Sequence, residues 1–108
     1  MQAPLGMGLL LVFAHFLCDF SLQSDRMALE KQPGHDRTLA WGWWLTAHAA
    51  THGLAVALIT AQPLLGLLET LAHALIDWCK GRFRWSMARD QGLHLGCKLV
   101  WLLLLIHG

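Results

Sequence analysis

Four apolar segments of this 108-residue chain each contain two ionisable side chains four positions apart. The pairs are His15 and Asp19, His48 and His52, His73 and Asp77, and Asp90 and His94. A spacing of four places two side chains on the same face of an α-helix. Imidazole and carboxylate groups without thiolates are typical ligands of zinc, manganese or iron. The eight residues are therefore predicted to be metal ligands, with enough donors for two divalent ions, and zinc is the favoured metal.

The position of each pair within its segment predicts that the pairs meet. If the segments are antiparallel helices, four residues fall at one depth: Asp19, His48, Asp77 and Asp90. Four others fall one turn deeper, about 6 Å further along at 1.5 Å per residue: His15, His52, His73 and His94. A layer of four imidazoles is therefore expected beneath a layer that contains the carboxylates.

Each pair also has a simpler interpretation. A single His in a helix is more often a hydrogen-bonded core residue than a ligand. Asp90 could cap the start of a helix, and Asp77 could pair with Lys80 near a helix end. Charged residues make up only 14% of this chain, whereas soluble proteins contain about 25%. In so apolar a chain, four such pairs at one depth favour the metal centre.

The composition indicates that lipid is the solvent. Hydrophobic residues make up 56% of the chain, the mean hydropathy is +0.45 and the formal net charge is +1. These values exclude a disordered chain, a coiled coil and a basic nucleic-acid-binding protein. We predict an all-α fold, an antiparallel integral membrane four-helix bundle that forms a single transmembrane domain over residues 1–108. Its helices are expected at about 5–22, 41–61, 64–79 and 90–107. The first lacks the features of a cleaved signal peptide.

Two smaller features complete the predicted architecture. Ser24 or Asp25 is expected to cap a short interfacial helix at 27–31. The three cysteines lie in apolar sequence without a C-x-x-C pair, so we expect free thiols rather than disulfides or zinc ligands.

The basic residues predict the orientation. Seven of the eight fall in the first and third loops: Arg26, Lys31, Arg37, Lys80, Arg82, Arg84 and Arg89. Five of the six Trp residues lie at the same edge, as interfacial aromatic residues do. By the positive-inside rule, these loops are cytoplasmic and both termini lie outside the cytoplasm. The expected location is the bacterial inner (cytoplasmic) membrane, which the chain crosses several times.

Glu69 and Lys98 extend the two stripes of the third and fourth helices. Because these helices are predicted to be antiparallel, Glu69 and Lys98 should lie in one layer beneath the histidines. An ion pair is the favoured interpretation. Alternatively, Lys98 stabilises an anionic substrate, in which case it is a catalytic residue together with Asp19, Asp77 and Asp90.

The motifs resemble those of a known family. They are His15-x-x-x-Asp19-Phe20-x-Leu22-Gln23, His48-x-x-x-His52, His73-x-x-x-Asp77-x-x-Lys80 and Asp90-Gln91-x-x-His94. Their order and spacing resemble domain-of-unknown-function family 3307, small bacterial integral membrane proteins, over nearly the whole chain. Lys31 is similar to a Lys that follows the first motif in that family. A more distant similarity to membrane-bound metal-dependent hydrolases implies metal-dependent hydrolysis.

Three classes of function are consistent with these residues. The first is a metal-dependent hydrolase at the cytoplasmic membrane face, acting on a lipid-derived or phosphorylated small substrate. In that case the Arg82, Arg84 and Arg89 loop could hold a phosphate head group, although attraction to anionic lipid explains it as well. The second is a di-iron membrane oxidase, although such enzymes have more histidine motifs than the one H-x-x-x-H motif of this chain. The third is a non-enzymatic subunit stabilised by metal, or a haem protein. Membrane lipid is the expected partner, nucleic acid is not, and a membrane-protein partner or homo-oligomer is left open.

Overall fold

The computed structural model describes residues 3–108, which form helices and no β-strand. Helix α1 spans Pro4–Phe16 and continues into a π-helical turn at Leu17–Ser21. The other helices are α2 (Asp25–Glu30), α3 (Trp41–Thr60), α4 (Pro63–Phe83) and α5 (Met87–His107). The prediction of an all-helical chain is confirmed.

Helices α4 and α5 are longer than predicted and meet in a short turn. The sequence indicated a basic loop between helices at 64–79 and 90–107, but only residues 84–86 separate the two helices. Arg84 ends α4 in the left-handed conformation, with φ of 54°. Ser86 begins α5, since its hydroxyl accepts a hydrogen bond of 3.1 Å from the backbone N–H of Arg89. The alternative interpretation of Asp90 as a helix cap is therefore wrong, because Ser86 is the cap.

Helix α2 is the short helix expected between the first two long ones. The Ser24 hydroxyl accepts a hydrogen bond of 3.1 Å from the backbone N–H of Met27, which confirms Ser24 as its cap. The three cysteines are free thiols; Cys18 is buried, whereas Cys79 and Cys97 are half-buried.

The four long helices form a closed ring in which each is antiparallel to its two neighbours. Helix α1 packs against α3 and α5, and α4 packs against the same two helices. Helices α3 and α4 approach most closely at Gly53 and Gly66. A Cβ atom on Gly66 would lie 2.6 Å from the Gly53 carbonyl oxygen and 2.6 Å from the Cβ of Ala57. Only glycine therefore permits this spacing of α3 and α4.

Ionisable side chains occupy much of the interior, and many large apolar side chains lie on the outside. The largest apolar cluster in the interior is small and lies on one side of the ionisable residues: Met7, Leu11, Val56, Leu65 and Trp101. The outer faces carry large apolar side chains, such as Leu58, which is 73% exposed, and Leu64, which is 65% exposed. Within residues 3–108, one helical segment is long and apolar enough to cross a membrane by length and composition, Pro4–Ser21, with mean hydropathy 1.5.

Candidate metal centre

The eight predicted ligands lie together in the interior of the helix ring. All are buried, with relative exposures between 0% and 6%: His15, Asp19, His48, His52, His73, Asp77, Asp90 and His94. The imidazoles of the deeper predicted layer form a continuous group. The His52 and His73 rings stack with centroids 3.7 Å apart, the His73 and His94 rings with centroids 3.9 Å apart, and His15 lies 5.3 Å from His52. The structure thus brings these four histidines into contact from four different helices.

Four of the ligands converge on one point. The Oδ1 atom of Asp19 lies 3.0 Å from Nε2 of His48, 3.3 Å from Nε2 of His52 and 3.6 Å from Nε2 of His73. The Nε2 atoms of His48 and His73 are 3.3 Å apart. We call Asp19, His48, His52 and His73 the four-ligand group. Three nitrogen atoms and one oxygen atom therefore surround a common centre.

These separations test whether a metal fits. In a tetrahedral zinc site with ligand distances of about 2.0–2.1 Å, neighbouring ligand atoms are about 3.3 Å apart. Four of the six separations in the group range from 3.0 to 3.6 Å and bracket that value, and all four ligand atoms lie within 4.8 Å of one another. The four-ligand group consequently has the donor composition of a tetrahedral metal site and matches its spacing at these four edges.

A second group shares His73 with the first. Atoms of His73, Asp77 and His94 all lie within 4.8 Å of one another. Nε2 of His94 is 3.1 Å from Oδ1 of Asp77 and 3.2 Å from Oδ1 of Asp90. Nε2 of His73 offers one lone pair, so it can bind one ion only. If His73 completes the four-ligand group, a second ion would depend on Asp77, Asp90 and His94, which we call the three-ligand group. Asp90 joins it through its approach to His94 alone.

Glu69 sets the tautomer of His73. Its Oε2 atom lies 3.0 Å from Nδ1 of His73, which places the ring proton on Nδ1 and leaves the lone pair on Nε2. In metal sites, the ring N–H of a ligating imidazole commonly donates to a carboxylate that orients it in this way. The other oxygen, Oε1, accepts hydrogen bonds of 2.9 Å from Nζ of Lys98 and of 2.9 Å from Nε1 of Trp101.

The predicted ion pair of Glu69 with Lys98 is confirmed. Both side chains are buried, with side-chain exposures of 1% and 4%. Lys98 contacts Glu69 and the carbonyl oxygen of His94, and therefore acts on the cluster through Glu69. The suggested pair of Asp77 with Lys80 is wrong, because Lys80 lies 3.4 Å from Asp90 instead.

Each carboxylate of the cluster has one oxygen held in place and one directed towards imidazole nitrogens. Oδ2 of Asp19 accepts a hydrogen bond of 2.6 Å from the Gln91 amide. Oδ2 of Asp77 accepts one of 2.9 Å from Lys31, and Oδ2 of Asp90 accepts one of 3.4 Å from Lys80. The Oδ1 atoms make the closest approaches to the histidines, at 3.0 to 3.2 Å. Oδ2 of Asp77 also lies 3.5 Å from Nε2 of His48 and of His73.

Several buried atoms of the cluster lack a hydrogen-bond partner among residues 3–108. They include Nε2 of His52 and Oδ1 of Asp90, as well as Nδ1 of His15 and of His94. A buried polar atom without a partner is unfavourable. Since His52 belongs to the four-ligand group and Asp90 to the three-ligand group, a cation in each group would satisfy these two atoms.

The carboxylates of the cluster outnumber its ammonium groups by one. The three carboxylates of Asp19, Asp77 and Asp90 face two ammonium groups, those of Lys31 and Lys80. The Glu69 and Lys98 pair is neutral. Either a protonated imidazole or a bound cation balances the cluster, because an unpaired charge is costly inside the helix ring.

The π-helical turn positions Asp19. The sequence predicted a regular helix to residue 22, but the backbone N–H of Leu22 donates a hydrogen bond of 2.9 Å to the carbonyl of Leu17, five residues earlier. Such turns widen a helix locally and occur frequently at functional sites. Gln23 fixes the turn further, because its amide donates a hydrogen bond of 2.9 Å to the Asp19 carbonyl.

Gln91 and Lys31 complete the site, although the predicted ligands did not include them. Gln91 links three of the predicted ligands, since it contacts His15 at 2.7 Å, Asp19 at 2.6 Å and Asp90 at 3.1 Å. Lys31 is buried and reaches Asp77. Both residues stand in the motifs of the family resemblance, which was the one available signal. His15 and Asp90 lie at the margin of the cluster, with His15 held by Gln91.

Glu30 is a further residue that the sequence did not reveal. It is buried although it lies in the segment between the first two long helices. The backbone N–H groups of Thr38 and Arg37 donate hydrogen bonds of 2.7 and 2.9 Å to its carboxylate. These donors, that of Thr38 first, hold the pKa of Glu30 below its usual value. Glu30 thereby anchors the segment that presents Lys31.

The geometry defines a class of protein, an all-helical chain with a buried histidine and carboxylate cluster. The chain belongs to the family described as "Protein of unknown function (DUF3307)", whose profile matches residues 7–107. No curated protein and no solved structure matches the chain.

Proposed function

We propose that this protein is a membrane-embedded metalloprotein whose four-ligand group binds one divalent ion, with zinc favoured over manganese or iron. The observation that carries the proposal is the convergence of three imidazole nitrogens on Oδ1 of Asp19 at 3.0 to 3.6 Å. Nitrogen and oxygen donors without sulfur suit these metals. Nε2 of His52 supports the same conclusion, since it is buried and lies 3.3 Å from Oδ1 of Asp19 without forming a hydrogen bond.

The apolar exterior supports a membrane location. Helices α3, α4 and α5 contain 20, 21 and 21 residues, so each is about 30 Å long at 1.5 Å per residue, the thickness of a bilayer core. Their mean hydropathy is lowered by inward-facing residues such as His52, Glu69 and Lys98, whereas large apolar side chains cover the outside. We propose an antiparallel four-helix bundle in the bacterial cytoplasmic membrane, with the α4–α5 turn in the cytoplasm and both termini outside.

Metal-dependent hydrolysis is the activity that we propose for this centre. An ion held by the three-ligand group of Asp77, Asp90 and His94 would have three protein ligands, as ions in catalytic sites do. A divalent ion bound there would supply a Lewis acid and water activated at neutral pH. Lys31 and Lys80 orient the two carboxylates, and both lie towards the cytoplasmic end where a substrate would arrive.

One observation favours a second candidate, a metal-stabilised subunit without catalytic activity. The four-ligand group supplies four protein donors to one ion, the number typical of structural zinc sites. The two candidates differ in what metal removal does. Loss of a structural ion lowers the thermal stability of the protein, whereas loss of a catalytic ion also abolishes ester hydrolysis.

Metal analysis tests the centre. Protein purified in detergent is expected to contain at least one zinc, manganese or iron ion per chain. His52→Ala should remove the ion, while His35→Ala, a change in an exposed loop histidine, should retain it. Equal metal content in the two variants, or none in the unaltered protein, would refute the proposed centre.

Two further measurements test the location and the activity. The chain should remain in the membrane pellet when the membranes are washed at alkaline pH. Hydrolysis of chromogenic phosphate and carboxylic esters, before and after chelation, separates the two candidates. Activity lost on chelation and restored by metal supports the hydrolase, whereas a fall in Tm without any activity supports the structural role.

A further inference from the structure

A cavity of about 430 Å³ lies beside the buried cluster, between α2 and the turn that joins α4 to α5. Its walls come from the end of the π-helical segment, from α2 and from both sides of the turn. The lining residues used below are Gln23, Lys31, Gln32, Lys80, Arg84 and Trp85. The volume is sufficient for a small polar head group rather than for a single water molecule.

Three cationic side chains line the cavity, Lys31, Lys80 and Arg84, and no lining residue is acidic. Lys31 and Lys80 are already paired with Asp77 and Asp90. Arg84 forms no ion pair with any residue in the range 3–108. Arg84 is therefore the cation of the cavity wall whose charge is not compensated.

The uncompensated guanidinium of Arg84 favours an anionic ligand. It presents several N–H donors, a geometry that suits the oxygens of a phosphate group. The side-chain oxygens of Gln23 and Gln32 lack a hydrogen-bond partner among residues 3–108, but both are fully buried and do not reach the cavity surface.

Two of the cations connect the cavity with the cluster. Nζ of Lys31 lies 2.9 Å from Oδ2 of Asp77, and Nζ of Lys80 lies 3.4 Å from Oδ2 of Asp90. Each ammonium therefore lines the cavity and at the same time orients a carboxylate of the three-ligand group.

We propose that this cavity is a binding site for a phosphate ester, such as a glycerol phosphate group. Arg84 provides a fork of N–H donors for the phosphate oxygens, and the ammonium groups of Lys31 and Lys80 line the same cavity while they remain paired with Asp77 and Asp90. The identification of this ligand as the substrate rests on the proposed hydrolase function, whereas binding itself does not. A lipid head group and a soluble phosphate ester both contain this chemistry.

Isothermal titration of the full chain in detergent tests the site with two probes, glycerol 3-phosphate and micellar phosphatidic acid. Each titration is carried out after chelation and again after zinc is restored. Saturable binding is expected in both states, because the cavity cations belong to the protein. Arg84→Asn should weaken binding about tenfold, since it removes a charged donor but tolerates the left-handed backbone.

Arg26→Gln is the matched control, because Arg26 is a cation of α2 that does not line the cavity. It should bind the probes as the unaltered protein does. Arg84→Gly, which also suits a positive φ, replaces Arg84→Asn if that variant does not fold. No saturable binding of either probe, or equal binding by the Arg84 and Arg26 variants, would overturn the proposal.

The two probes distinguish the sources of the phosphate group. Binding of both probes identifies a site for soluble esters, and binding of phosphatidic acid alone identifies a lipid head-group site. Either result supports the cavity. Binding that disappears on chelation and does not depend on Arg84 would refute the cavity while supporting the metal centre. Metal-independent binding in a protein that contains no metal would support the cavity and refute the metal centre.

Discussion

Replacement of Lys98 by Met is expected to destabilise the protein strongly, because it leaves the Glu69 carboxylate charged and buried. Only 1% of the Glu69 side chain and 4% of the Lys98 side chain are exposed, so solvent screens the pair little. Removal of one partner of a fully buried pair costs about 3–5 kcal/mol. Glu69→Gln should cost a similar amount, because Lys98 then lacks a counter-charge.

The double variant Lys98→Met with Glu69→Gln should recover most of this loss. The side-chain amide oxygen introduced by Glu69→Gln can still accept a hydrogen bond from Trp101 or from His73, but not from both in their present geometry. The donor left without an acceptor costs about 1–3 kcal/mol. Since the single variants together lose about 6–10 kcal/mol, the coupling energy should be about 3 kcal/mol or more.

Equilibrium unfolding in mixed detergent micelles, with chelator present, measures all four proteins in the absence of metal. Metal affinity then separates the two roles of Glu69. Glu69→Gln should weaken metal binding about 10- to 100-fold, because the amide orients His73 less firmly than a carboxylate does. Lys98→Met retains that carboxylate and should bind metal more tightly than Glu69→Gln. Additive losses of stability in this cycle would refute the ion-pair reasoning.

Two other predictions follow from packing and from the segment after α2. Gly66→Ala should lower stability by about 1–3 kcal/mol and weaken metal binding, because the new Cβ would lie 2.6 Å from a backbone oxygen of α3. The control Gly96→Ala, in open space on α5, should be neutral or slightly stabilising. Equal effects of the two variants on Tm would contradict this packing argument. Glu30→Gln should expose the following segment to trypsin, whereas Asp25→Asn on the same helix should not. Hydrogen bonds from Thr38 lower the pKa of Glu30 in the folded protein. The contribution of the Glu30 carboxylate to folding stability is therefore present above the unfolded pKa of about 4.3 and is lost as the pH falls through the lower pKa of the folded state. Trypsin resistance that is unchanged in Glu30→Gln would show that Glu30 is not the anchor.

The sequence alone determined the faces on which the ionisable residues lie. A spacing of four residues has one geometrical meaning in a helix, so His73 and Asp77 had to share a face whatever packed against it. The match in depth between Glu69 and Lys98 followed from two antiparallel helices of regular rise. Both inferences use local backbone geometry, and for that reason they survive in the structure.

Tertiary packing decided which atoms meet. The sequence did not indicate that three imidazoles approach the same oxygen of Asp19, because that depends on a π-helical turn and on the close contact of α3 with α4. It did not place Lys31 on Asp77 or Glu30 beneath the following segment, because these residues lie outside the long helices and have no fixed periodicity. Their positions result from the folding of an irregular segment against residues far away in the chain. The pattern of the helices therefore selects the ligands, and long-range packing selects the atoms that can bind.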